Sequence, residues 1–363
     1  MVFVLTGGGT AGHVTPAIAI AEGLLTRYPS AKILFIGREL GKENDLVKKA
    51  GFPLLTLRIS GIKRSLSAEN LKVIRNALRA RERAKDILRE TKPDTVIGTG
   101  GYVCWPVLSA ARRLGIPTLL HESNAALGLT SRLLARKCDA FCTGAEIRVK
   151  LKNARYTGNP IRESFKRMPK ERAKAILGIP RNSFLLLSVG GSGGAERLNS
   201  AVIELMRDYS VKRKDLFHIH SCGRTYYDKI AEENPDLCSK HGKCRVVPFI
   251  DNMATALCAA DAVITRCGAM TLSEIAHCAT PAILVPSPNV TANHQLKNAL
   301  AFEKKYGALI IEEKELCKNS LKERIELYMR NPKLTDEIKE RALNNMENDA
   351  KQQIISEIER IMK

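Results

Sequence analysis

No stretch of this sequence stays apolar for long. Its longest hydrophobic runs, such as Val2–Leu5 and Phe184–Val189, fall far short of the roughly 20 residues a helix needs to cross a bilayer. The amino-terminal run has no basic flank and breaks at Gly7, so it does not read as a secretory signal, and a cytoplasmic protein is expected. None of the 10 cysteines falls in a Cys-x-x-Cys pair, which removes the usual zinc and thioredoxin spacings. The nearest approach to a metal cluster, Cys238, His241 and Cys244, matches no common ligand spacing and reads as a polar loop. Cys258, Cys267 and Cys278 lie in apolar or helical stretches, where a free thiol behaves as a small hydrophobe, and free thiols suit a reducing compartment. Aromatic residues make up only 5% of the chain, with a single Trp. With no zinc finger or RNP-like strand either, a nucleic-acid partner is not expected.

Basic charge is what the chain has in excess: 58 Lys and Arg against 38 Asp and Glu, a net charge of +20. Such a balance favours nucleic acid, an anionic membrane surface or phosphorylated ligands, and says nothing about fold. Part of it is concentrated between Arg58 and Lys92, which hold 11 basic and 4 acidic residues. A length of 363 residues suggests two domains, and 44% hydrophobic residues with mixed charge exclude a disordered chain.

Short apolar runs alternate with helical periodicity, the pattern of an α/β protein with parallel sheets. Strands are expected at Val2–Leu5, Lys32–Ile36, Thr95–Ile97 and Thr118–Leu120, with helices at Pro16–Leu25 and Ala68–Arg89. After the turn Gly158-Asn159-Pro160 the pattern restarts, with strands at Phe184–Val189, Phe217–His220, Arg245–Pro248, Ala262–Thr265 and Ala282–Val285 and a helix at Arg197–Met206. The halves rhyme. Each opens on a strand, a glycine cluster and a helix (VFVLTGGGTAGHVTPAIAIA, FLLLSVGGSGGAERLNSAVI), and each later repeats strand, glycine turn, helix and a Pro-led strand. Two doubly wound domains are expected, 1–160 and 161–335, followed by a charged amphipathic helix, 336–363, packing back on the N-terminal domain.

A strand that ends in glycines and opens a helix presents unpaired N–H groups at the positive end of a helix dipole, which suits phosphate or developing negative charge. Two such loops, Gly7–Gly12 and Gly190–Gly194, occupy corresponding positions, with glycine turns at Gly98–Gly101 and Gly268. A nucleotide diphosphate in a cleft between twin halves is the expectation. No D-x-D triplet is available to bind a diphosphate through a divalent ion, so a metal-independent reaction without cofactor is expected. Gly7, Gly9 and Gly12 also satisfy G-x-G-x-x-G, which keeps an NADP-dependent oxidoreductase as an alternative. The second strand, however, ends on Arg38 where a ribose-binding acid belongs, and His13 follows the third glycine. His13 stands at the mouth of that loop near a helix start, where the dipole favours a neutral imidazole able to accept a proton from an attacking hydroxyl. Glu274, on the helix opened by Gly268, could accept the hydroxyl hydrogens of a ribose.

Taken in order, GGGTAGHVTPAIAIAEGL, GTGGYVCWP, GIPTLLHESNAALGLTSRLLA, TGNPIR, SVGGSGGAERLN, FIDNMATAL and RCGAMTLSEIA resemble the MurG family from about residue 2 to 312. The resemblance implies a GT-B fold, two Rossmann-like domains facing a central cleft. It implies inverting transfer of GlcNAc from UDP-GlcNAc to a polyprenyl-diphosphate-linked sugar, the lipid I to lipid II step of cell-wall synthesis. It also implies a peripheral enzyme on the inner face of the cell membrane, with residues 58–92 meeting anionic lipid; Arg75, Arg79, Arg81, Arg83 and Lys85 would face the head groups.

Carried over by position, the resemblance makes His13 the catalytic base. Thr10, Ala11, Gly12, Asn124, Arg162 and Ser192 fall on donor-binding positions, Phe249 and Ile250 on the uracil pocket. Ala269, Met270, Thr271, Leu272, Ser273 and Glu274 fall on the diphosphate and ribose helix, and Gln295 on the GlcNAc hydroxyls. Tyr102, His121 and Glu122 fall on acceptor-side motifs. The family usually reads GGTGGH where Ala11 stands, GGSQGA where Gly193 stands, YVSGP at Cys104 and Trp105, HEQNA at Ser123, and QQ at His294 and Gln295. The changes at 104, 105 and 123 are expected to face the acceptor, so an archaeal pseudomurein counterpart with a related acceptor remains an alternative.

Overall fold

Strict alternation sets the first strand: β1 (Val2–Thr6) sends Phe3 and Leu5 to one face of a sheet and Val4 to the other, all three fully buried. Both faces are covered, as in a parallel sheet wrapped by helices. The computed structural model describes residues 1–41, 44–61, 69–147, 151–191, 193–239, 242–290, 293–345 and 349–363, with only the backbone of 69–72. The chain divides into two units, Met1–Glu163 with Asn348–Lys363, and Ser164–Glu347.

The first unit continues through α1 (Ala11–Arg27), β2 (Lys32–Arg38), α2 (Asn44–Lys49), β3 (Leu54–Leu57), α3 (Glu69–Thr91) and β4 (Thr95–Gly98). It then runs through α4 (Cys104–Arg113), β5 (Thr118–Glu122), α5 (Leu129–Leu134), β6 (Ala140–Thr143) and β7 (Ala154–Tyr156). Its seven strands are parallel in the order β3-β2-β1-β4-β5-β6-β7. Phe3 and Leu5 pack under α1 with Val14, Ile18 and Leu24; Val4 packs with Ala80, Ala84 and Ile87 of α3 and Val107 and Leu108 of α4.

The second unit holds α6 (Lys170–Ile176), β8 (Phe184–Val189), α7 (Glu196–Asp208), β9 (Leu216–Ser221), α8 (Arg224–Glu233), β10 (Cys244–Val247) and α9 (Met253–Ala259). There follow β11 (Ala262–Thr265), α10 (Ala269–Cys278), β12 (Ala282–Leu284), α11 (His294–Tyr306), β13 (Leu309–Ile310), α12 (Lys318–Arg330) and α13 (Pro332–Asn344). Six parallel strands run in the order β10-β9-β8-β11-β12-β13. In each unit the order reverses beside the first strand, between β1 and β4 and between β8 and β11, the position where doubly wound sheets bind ligands.

The single C-terminal helix expected from Asp336 is two helices. α13 buries Ile338 and Ala342 within the second unit, whereas α14 (Ala350–Met362) buries Ile354, Ile355 and Ile358 against α1 of the first. Apolar spacing of 3–4 residues runs on across the break, so periodicity alone could not reveal it; the new start is marked by Asp349, whose carboxylate accepts the N–H groups of Lys351 and Gln352. Tyr28 and Arg27 at the end of α1 both donate to Glu359, at 2.7 and 2.8 Å, and fix the returning helix.

Beneath the second sheet runs a buried polar chain. Ser210 Oγ lies 3.0 Å from His218 Nδ1, and Ser188 Oγ lies 2.9 Å from both His218 Nε2 and His220 Nδ1. Burial disfavours imidazolium at both sites, helped at His218 by the neighbouring His220, and lowers the pKa values to about 3 for His218 and about 4 for His220 from 6.5. Their neutral forms are favoured only in the fold, so the stability they contribute is complete above pH 6.5 and is lost as pH falls from 6.5 towards these values. Thermal scans should show the second unit weakening between pH 6.5 and 5 by up to about 1.4 kcal/mol per pH unit for each histidine. A His218→Gln/His220→Gln variant should begin less stable but lose that slope.

Candidate functional site

In the first unit the glycine loops leave the C-terminal ends of β1 and β4 and interlock. Thr99 Oγ1 donates to His13 O at 2.6 Å, and the ring of Tyr102 lies against Gly9 and Gly61. Gly100 (φ +103°) lies under the His13 ring, where a Cβ would come within 2.7 Å of His13 Cδ2. His13 Nδ1 is 3.1 Å from Thr10 Oγ1. Its Nε2 lies on the side of Gly100. α1 has Thr10 as N-cap with no side-chain cap and no acidic residue in its first turn, so the amides of Ala11 and Gly12 at its start face the loop without a competing carboxylate.

At the end of β5, His121 and Glu122, placed by the resemblance on acceptor-side motifs, are buried, at 0% and 3% exposure. His121 Nε2 sits 3.1 Å from Gly158 O, and burial lowers its pKa, opposed by that carbonyl and by Glu122. The Glu122 carboxylate accepts from Asn124 N at 3.1 Å, Asn124 Nδ2 at 2.9 Å, Gly128 N at 3.0 Å and Ser131 Oγ at 2.7 Å. All its strong acceptor directions are occupied inside the loop that carries Asn124 to the C-terminal edge of the sheet. Cys104 and Ser123, expected to face an acceptor, are 0% and 4% exposed, and Trp105 packs on the core under α3 and α4. Cys104 Sγ donates to the carbonyls of Thr6 and Gly100, at 3.1 and 2.9 Å, since it heads α4 on the side turned towards the sheet.

In the second unit a cavity of about 490 Å³ opens where β8, β11 and β12 end, within the range of small-molecule sites. Gly190, Gly191 and Gly194 line one wall; Gly194 (φ +80°) allows the chain to pass Cys222 O, which a Cβ would meet at 2.2 Å. Opposite, α10 begins at Gly268 with no side-chain cap and no acidic residue in its first turn. Gln295 Oε1 accepts from Cys267 N at 3.2 Å and Ser287 N at 2.9 Å, which ties the loops after β11 and β12 together and leaves its amide N–H groups as the donors it can offer. Arg266 lies on the cavity wall in a bidentate pair with Glu313.

Of the expected donor residues here, Thr271 and Gln295 line the cavity. Met270 and Leu272 turn into the core at 7% and 4% exposure, and Leu272 N bonds Gly268 O, so Leu272 has neither side chain nor amide to offer. Ser273 Oγ bonds back to Ala269 O at 3.1 Å, Glu274 stands on the same helix, and Phe249, 38% exposed beyond β10 and next to Ile250, has the Arg224 guanidinium 5.3 Å from its ring centroid. Arg162 belongs to the end of the first unit, with a buried Nε that has no partner among the described residues. Ser192 and His241 lie outside the described residues. Sequence reasoning missed Arg266, whose only signal was a basic residue between a strand and a glycine turn, and Glu313, which carried none.

Comparison with known proteins covers the whole chain. The glycosyltransferase family 28 N-terminal domain matches residues 3–143, and the glycosyltransferase family 28 C-terminal domain matches 185–354. The UDP-N-acetylglucosamine–N-acetylmuramyl-(pentapeptide) pyrophosphoryl-undecaprenol N-acetylglucosamine transferase of Caldanaerobacter subterraneus subsp. tengcongensis is 41% identical over 359 residues, 98% of each chain. The enzyme of that name from Halalkalibacterium halodurans is 41% identical over 345 residues, 94% of each. The crystal structure of Acinetobacter baumannii MurG superposes with a TM-score of 0.75 at 29% identity, covering 99% of both chains. A kitacinnamycin glycosyltransferase, at 12% identity and a TM-score of 0.73, shows the shared fold alone.

The packing of Glu122 yields a stability test. Glu122→Ala strands four donors and should cost roughly 2–4 kcal/mol in chemical denaturation, with faster amide exchange confined to residues 123–131. A surface role would leave both unchanged.

Proposed function

The chain belongs to the MurG family of glycosyltransferase family 28, and on that premise we propose that it transfers GlcNAc from UDP-GlcNAc to an undecaprenyl-pyrophosphoryl-MurNAc-pentapeptide, lipid I, giving lipid II. Membership in this family sets aside the oxidoreductase raised by G-x-G-x-x-G. The observation that carries the reading is the cavity of the second unit, where a glycine loop, an uncapped helix start, Arg266 and Gln295 converge. UDP-GlcNAc is assigned there, its diphosphate against the α10 amides and Arg266 and its sugar against Gln295. The acceptor is assigned to the first unit, at the C-terminal ends of β1, β4 and β5. His13 Nε2 takes the proton of the acceptor hydroxyl as that oxygen attacks the anomeric carbon; UDP leaves from the opposite face, and the product linkage is β. Main-chain amides and guanidinium stabilise the charge that gathers on the leaving diphosphate. With Cys104 and Ser123 inside the fold, two of the three departures that suggested a different acceptor no longer call for one; Trp105 is partly buried.

Among the described residues no helix is long and apolar enough to cross a membrane. We place the chain at the cytoplasmic membrane surface through α3 and α5, which both pack on α4. Ile74, Leu78, Leu129 and Leu133 are 41–57% exposed there, Arg75, Arg79 and Arg132 stand on the same two helices, and Arg136 lies in the turn after α5. This apolar and cationic mixture suits an anionic bilayer surface. Arg81 and Lys85, expected among the lipid-facing residues, are instead 15% and 16% exposed and paired with Glu82.

UDP release from UDP-GlcNAc and lipid I should be readily measured and should survive EDTA; dependence on a divalent ion would refute the amide-and-arginine account. His13→Ala should lower kcat by roughly 10²–10⁴, and Gly100→Ala should lower it by displacing the same ring. In flotation assays, binding to vesicles with anionic lipid should fall as salt rises. A Leu78→Ser/Leu133→Ser variant should float poorly while retaining its fold.

A further inference from the structure

A carboxylate in the wall of an anion-binding cavity opposes its ligand unless it serves another purpose. Glu313 lies just after β13, 9% exposed, and its partner Arg266 is 13% exposed at the side chain. The guanidinium donors divide cleanly. Nη1 donates to Glu313 Oε2 and to Val285 O at 3.3 Å, while Nη2 donates to Glu313 Oε1 at 3.2 Å. These bonds use the end-on edge of the guanidinium. The side-on edge, Nε–H with the second Nη2–H, is uncommitted among the described residues, and it is the planar two-donor fork that matches a phosphate oxyanion. Arg197, the other cation of the cavity, is 61% exposed and 4.0 Å from Glu313, too loose to do the same.

We infer that Glu313 is a positioning residue for the nucleotide diphosphate: it holds the end-on edge of Arg266 so that the side-on edge is presented to a phosphate oxygen. The inference rests on the donor assignment made above. It predicts a sign. If Glu313 acted on the ligand only through its charge, its removal would strengthen anion binding; as the holder of Arg266, its removal weakens it.

Calorimetric titration of UDP and of uridine into the full chain separates these cases, because uridine carries no phosphate for Arg266 to meet. Glu313→Ala should weaken UDP by roughly tenfold or more while uridine stays within about twofold. Arg266→Ala should weaken UDP at least as much, and the double variant should be no worse than Arg266→Ala alone, since the carboxylate acts through the arginine. KM for UDP-GlcNAc should rise in Glu313→Ala with less change in kcat. Unchanged or tighter UDP binding overturns the inference, as does equal loss of uridine or additivity with Arg266→Ala. Should Glu313→Ala fail to fold, Glu313→Gln, which keeps the volume and one acceptor oxygen, should show the same preference for loss of UDP over uridine. Wild-type protein that binds neither ligand would instead overturn the donor assignment.

Discussion

Parallel strands all leave their sheet at the same edge, and that constraint organises both units. Each strand must be followed by a connection that begins at the C-terminal edge, and where the strand order reverses, neighbouring connections diverge and leave room between them. The chain exploits this twice, with β1 and β4 in one unit and β8 and β11 in the other. At those points the glycine loops and the starts of α1 and α10 bring main-chain N–H groups to the surface in a fixed array. Water solvates such groups at little cost, whereas an anion satisfies them together with the helix dipole. In the proposed reaction the backbone therefore carries most of the anion binding, with His13, Arg266 and Gln295 added to it.

Both arrays also depend on an internal carboxylate. Glu122 gathers two backbone amides, a side-chain amide and a hydroxyl at the end of β5; Glu313 gathers one edge of a guanidinium after β13. Glu122 is enclosed by donors of its own loop, and Glu313, in the cavity wall, is paired with Arg266. A buried carboxylate such as Glu122 is tolerated because its strong acceptor directions are filled, and its loss leaves several donors without partners at once.

Much of this was legible in the residues. Buried central strands such as Phe184–Val189 and Ala262–Thr265 coincide with their apolar runs, because burial on both faces demands an uninterrupted hydrophobic stretch. β3 and β7 escaped notice as edge strands with partly exposed residues and mixed composition, and the short β6 and β13 carried no strand expectation either. Glycine loops announced themselves, since only glycine permits such close approach of backbone to a ring or a carbonyl. The directions of Cys104 and Ser123 did not: one is the first residue of α4 and the other follows β5, ends of elements where neither period 2 nor period 3.6 tells which way a side chain turns. The pairing of Arg266 with Glu313 spans 47 positions and exists only through the order of the strands.

The return of α14 to the first unit has a consequence for biosynthesis. Residues 1–163 leave the ribosome first, and Ile354, Ile355 and Ile358, which cover the apolar flank of α1, are made only about 190 residues later. At about 5–20 residues per second, roughly 200 further residues take some 10–40 s to appear. Throughout that interval the nascent amino-terminal sheet carries an uncovered greasy strip, which closes only once α14 has emerged.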